Sequence, residues 1–153
     1  MNERVPLALL LPLRLLVAFM LLVEGYQKFR EGWLHGDVFA RVTQTWLDSH
    51  RSYHLFLPLL NTAHAHPKIF ATLVTLGELT VGASLLLGLV TRAASFVGLM
   101  LLVAIAGTSG QGLAPPGNAV LMAAILFTFV LTPPGRVLGL DQRLRLRLPR
   151  WLV

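Results

Sequence analysis

The sequence predicts an all-α fold: a polytopic membrane four-helix bundle with a membrane-associated outer segment between helices 1 and 2. Three observations carry that expectation. Hydrophobic residues make up 55% of the 153-residue chain and charged residues only 13%, where soluble domains carry about 25% charged residues. Mean hydropathy is +0.68. The apolar residues also gather in runs that can cross a ~30 Å hydrocarbon layer at ~1.5 Å of rise per residue.

Four of these runs read as spanning helices, at about 6–29, 67–90, 92–109 and 117–132. The first apolar run, 5–23, is too long for a signal-peptide core, contains Arg14 and lacks a small-residue cleavage site before Glu24. It reads as a retained helix. Pro67 opens the second helix, where its missing donor costs nothing. Gly107, Gly110 and Gly112 close the third, and Pro133-Pro134 the fourth. Gly77, Thr80, Ser84 and Gly88 form a stripe of small residues on the second helix, with a shorter one, Ala94 and Gly98, on the third. Such stripes let helix backbones approach closely in lipid.

Segment 30–66 is too long for a tight turn and too apolar for disorder. Asp37 is placed to cap a short helix with Val38, Phe39, Val42 and Trp46 on one face and Arg41, Gln44 and Asp48 on the other. That pattern suits a helix lying on a membrane surface. Residues 53–60, apolar but broken by Pro58, read as a re-entrant or lid-like piece. Trp33, Trp46 and Tyr53 read as an aromatic belt or, alternatively, as a stacking wall for a planar ring.

An even number of spans puts both termini on one side. The net charge of +6 gathers in Arg136, Arg143, Arg145, Arg147 and Arg150, which places that side in the cytoplasm of a cell (inner) membrane. Residues 1–142 then form the transmembrane domain, and 143–153 a basic cytoplasmic tail drawn to anionic lipid. Lys28, Arg30, Arg41, Arg51 and Lys68 fall on the outer side against this trend. The tail lacks the interleaved aromatics of a nucleic-acid surface, so nucleic acid is not an expected partner. The chain has no cysteine, which excludes a dithiol relay or an iron–sulfur cluster held by its own thiolates.

Glu78 lies near the centre of the run 69–90, and Arg14 lies inside the first run. A charge inside a bilayer is costly without a partner and marks a functional site by default. Arg14, Glu24 and Lys28 fall within an arc of about 80° on an ideal helix, so the first helix carries a polar stripe. Arg14 precedes Glu24 by ten residues and Glu78 follows Lys68 by ten, which puts both charges ~15 Å below the outer boundary. An Arg14–Glu78 pair is therefore expected, either as a structural clasp or as part of a ligand pocket. His35, His50, His54, His64 and His66 all lie in the outer segment. They lack a convincing third ligand, so no metal is expected, and the spanning runs offer no histidine to a haem.

Several of these segments together resemble the DoxX/DoxD family of small four-helix membrane proteins. They are Leu13-Arg14-Leu15-Leu16 with Glu24-Gly25-Tyr26-Gln27-Lys28; Gly77-Glu78-Leu79, Gly82 and Leu87-Gly88-Leu89-Val90-Thr91-Arg92; and Thr132-Pro133-Pro134-Gly135-Arg136 with Gly139, Leu140 and Asp141. Gly32-Trp33-Leu34 and Trp46-Leu47 lean toward the DoxD branch, similar to the membrane subunit of thiosulfate:quinone oxidoreductase. The resemblance implies quinone-linked oxidation of thiosulfate or another small sulfur compound at the outer face, with a soluble or periplasmic-side redox subunit. Quinone would be the co-substrate; the lipid bilayer and a second copy of the chain are the other expected partners. On that reading Glu24 and Glu78 handle the quinol protons, and Arg14 and Lys28 hold charge on the reduced ring or an anionic substrate. Trp33 and His35 form the outer wall. One alternative is a non-catalytic membrane anchor or scaffold for a partner redox protein. A small-solute transporter is third, since four short helices without a repeat argue against it.

Overall fold

A computed structural model of the chain describes residues 10–110, 118–132, 135 and 139–141. Those residues form six α-helices and no strand. They are α1 (Leu10–Arg30), α2 (Asp37–Ser49), α3 (Leu57–Ala65), α4 (Pro67–Leu87), α5 (Thr91–Ser109) and α6 (Asn118–Leu131). Short 3₁₀ turns at Trp33–His35 and His54–Phe56 precede α2 and α3. Helices α1, α4 and α5 are long and apolar enough to cross a membrane. Helix α6, at 14 residues, reaches ~21 Å at ~1.5 Å per residue, short of a ~30 Å core. The described residues thus carry three full-length spans where the sequence predicted four. The Pro133-Pro134 stop, the loop 111–117, and the basic tail lie outside the described residues.

Large apolar side chains cover the outer faces of these helices. Phe19, Leu73, Leu76, Phe96, Val97, Met100 and Phe127 are all about half exposed or more. In water that surface would be an aggregation liability; in lipid it needs no cover. The protein is a multi-pass membrane protein. Its interior core joins Val17 and Leu21 of α1, Val81 and Leu85 of α4, Leu102 of α5, and Met122, Leu126 and Phe129 of α6.

Helices α1 and α4 run antiparallel along a seam of small residues. A Cβ on Gly82 would stand 2.8 Å from Leu22 Cγ and 3.1 Å from the Ala18 carbonyl oxygen; one on Gly25 would stand 2.9 Å from Leu79 Cγ. The seam is therefore Gly25 against Leu79 and Leu22 against Gly82. The expected Gly77–Thr80–Ser84 stripe is not this seam: Thr80 is exposed, and Gly77 looks toward Leu101 of α5. Gly98 of α5 packs against Val81 and Leu126.

At one end, α4 stops at Gly88 (φ 64°), where Leu89 N–H donates to the Ser84 carbonyl at 2.9 Å, the bond that closes a helix through a left-handed residue. Val90 follows at φ 49°, a conformation that β-branched residues avoid. At the other end, Gly32 (φ 78°) and Gly36 (φ 88°) bracket the Trp33–His35 turn and fold the chain back over the end of α1. Gly36, with no side-chain bond, caps α2, so Asp37 opens that helix but does not cap it. Helix α2 has the predicted two faces, with Arg41, Gln44 and Asp48 exposed. Its Phe39 and Thr43, however, are buried against neighbouring helices, not laid on a free surface. Pro58 starts α3 rather than breaking it. The segment before α3 docks on the end of α5 through Tyr53 N–H to the Gly107 carbonyl (3.1 Å) and Ser52 Oγ to the Thr108 carbonyl (2.6 Å).

Candidate functional site

Glu78 is fully buried on α4. Lys28, in the last turn of α1, donates to both of its carboxylate oxygens at 2.7 Å. The lysine stem runs along apolar surface while its head stays with the charge, a geometry its length allows. Glu24, one turn back on α1, places Oε2 3.8 Å from the same ammonium, with about a third of its side chain exposed. Lys28 Nζ also lies 5.6 Å from the Trp33 ring centroid, within range of attraction to the ring face. Trp33 is fixed in turn: its indole N–H donates to Glu31 at 3.0 Å, and Phe39 meets it edge-on with centroids 5.6 Å apart.

Beside this cluster lies a cavity of about 270 Å³, roofed by the Trp33 turn, α2 and α3 and floored by α4 and α5. Its walls are Trp33, Phe39, Trp46, Phe70 and aliphatic residues of α3, α4 and α5. Lys28, Thr43 and Thr108 supply the polar groups. Among the described residues, Lys28 is the single charged side chain on the lining. Thr43 Oγ1 lies 2.9 Å from His64 Nδ1, so a histidine of α3 backs one wall. Apolar walls with a few convergent polar groups are the usual form of a small-molecule site.

The structure thus brings together Glu24, Lys28, Trp33 and Glu78, four of the six residues the sequence proposed. His35 is exposed, with Nδ1 3.3 Å from the Gly32 carbonyl, and does not line the cavity. Arg14 is buried, but its guanidinium packs against Gly88, where a Cβ would stand 3.0 Å from Nη1. Gly88 lies ten residues beyond Glu78, ~15 Å along α4, so the expected Arg14–Glu78 pair does not form. The error was one of register: Gly36, not Glu24, sits beside Lys68, so α4 starts well beyond the end of α1.

Arg14 instead belongs to a second buried cluster, beside Gly88, whose carbonyl accepts from the Asp141 N–H at 2.9 Å. The Asp141 carboxylate accepts from the backbone N–H groups of Val90 (2.5 Å) and Thr91 (2.9 Å) and from Thr91 Oγ1 (2.7 Å). It caps α5 from fifty residues away in sequence and holds Val90 in its left-handed conformation. Sequence reasoning had no signal for Thr43, Phe70 or Thr108, because a threonine or phenylalanine in an apolar run looks like packing. Trp46 was legible as a possible ring wall.

A family model described as DoxX matches residues 9–111, which takes in α1 to α5 and every residue of the cavity. No curated protein and no solved structure matches the chain.

Proposed function

The chain belongs to the DoxX family, and from that premise we propose that it is the membrane subunit of a quinone-linked oxidoreductase. The observation that carries this reading is an aromatic-walled cavity ending on the Lys28–Glu78–Glu24 cluster. Reducing a quinone to its hydroquinone takes two electrons and two protons. The ring asks for apolar walls, its oxygens for a donor, and the protons for titratable groups reached by water. Lys28 carries three N–H donors, of which Glu78 takes two, leaving a third for a ring oxygen. Glu24, partly exposed, links the cluster to water. The electrons enter from a partner redox subunit; a DoxD-type role would make thiosulfate or another small sulfur compound their source. Inner-membrane placement with both termini cytoplasmic belongs to the same proposal.

The test is to extract the purified protein for lipophilic quinone and to titrate it with a short-chain analogue. Bound quinone, a raised Tm, and a Glu78→Gln loss of turnover larger than its loss of stability are expected. The anchor reading has one observation in its favour: Lys28 already satisfies both oxygens of Glu78, which is all that a structural clasp needs. It predicts a copurifying partner, no quinone, and no thermal shift at near-millimolar analogue.

A further inference from the structure

We infer that the cavity selects an uncharged ring and rejects anions, with Glu78 as the residue that sets this preference by cancelling Lys28. The inference rests on the quinone site proposed above and names which ligands that site takes. A lone lysine on an apolar wall would be an anion site. Here it is not alone. Glu78 occupies the ammonium with both oxygens at 2.7 Å, and Glu24 stands 3.8 Å away. Two carboxylates against one ammonium leave no surplus positive charge there, and no other cation lines the cavity among the described residues. An anion entering would lose its water and meet like charge, a combination that binding sites use to exclude competitors. A neutral ring loses little on entry and still gains one N–H from Lys28. A thiosulfate dianion therefore gives up its electrons outside this cavity.

Two ligands that differ by one charge test this: 1,4-naphthoquinone and 1,4-naphthoquinone-2-sulfonate. The full chain is placed in nanodiscs of zwitterionic lipid and each ring is titrated while tryptophan fluorescence is followed. Of three tryptophans in the chain, Trp33 and Trp46 line the cavity, and Trp33→Phe and Trp46→Phe assign the quenching to them. The neutral ring is expected to bind ~10-fold or more tighter than the sulfonate, the scale on which like charges discriminate. Glu78→Gln should narrow that ratio ~10-fold by recovering sulfonate binding. Glu24→Gln, at a partly exposed position that the fold tolerates more readily, should move it the same way by less. The extra bulk of the sulfonate is common to all the proteins and cancels in the comparison. Sulfonate binding as tight as neutral binding in the wild type overturns the inference, as does a ratio that neither variant moves. Quenching by neither ring overturns the quinone site itself and this inference with it.

Discussion

Lys28 and Glu78 are fifty residues apart in sequence, and the lysine Nζ lies 2.7 Å from the buried carboxylate. Removing one partner of a buried ion pair leaves the other charge stranded, at ~3–5 kcal/mol, whereas replacing both by apolar groups is often close to neutral. Lys28→Met should therefore destabilise strongly, and Lys28→Met with Glu78→Leu should recover most of the loss in a double-mutant cycle measured by unfolding in detergent. By the same logic Arg14→Leu and Glu78→Leu should add to within ~0.5 kcal/mol, as sites more than ~10 Å apart do. Strong coupling between those two would contradict the register described here. Asp141 makes the sharpest single-residue case. Asp141→Ala strands two backbone donors and a hydroxyl in a buried place, at ~1–3 kcal/mol for each group. A loss of ~3 kcal/mol or more is expected, and a loss below ~1 kcal/mol would show that α5 finds another cap.

Between helices, the two glycines of α4 make opposite predictions. Gly82 faces backbone atoms of Ala18 and Leu22, which have no room to move, while Gly77 faces only the end of the Leu101 side chain at 3.2 Å. Gly82→Ala should cost ~1–3 kcal/mol through overpacking. Gly77→Ala should be close to neutral, because the gain in helix propensity of ~1 kcal/mol offsets a small shift of Leu101. Equal costs at the two positions would mean that the α1–α4 seam lies elsewhere. The two faces of α2 were legible from spacing alone, since Arg41, Gln44 and Asp48 recur at helical period. What that apolar face covers was not legible, because period specifies a face and not its neighbour.

For the whole molecule, the number of crossings decides the orientation of every loop. With a short α6 counted as a crossing, both termini lie on one side and the segment from α2 to α3 on the other; without it the termini part. The orientation proposed above puts that segment on the outer side. The cysteine-free chain allows single labels, and Leu55, 84% exposed, is a better site than Ser52, whose hydroxyl is bonded to Thr108. Leu55→Cys should react with an impermeant maleimide added outside whole cells. Labelling from the cytoplasmic side alone would reverse the orientation.

The membrane class, the positions of α1, α4 and α5, the start of α4 at Pro67, and the need of Arg14 and Glu78 for partners inside the bundle all follow from the sequence by itself. Each is a property of composition, run length or the rarity of charge in an apolar run, so no neighbour has to be known. The partner of each buried charge was decided only by tertiary structure. Glu78 goes to Lys28 and Arg14 to the Asp141 cluster because glycines at positions 25, 36 and 82 set how far α4 slides along α1. A slide of a few turns carries a charge from one partner to another while leaving every helix, and every hydropathy pattern, unchanged.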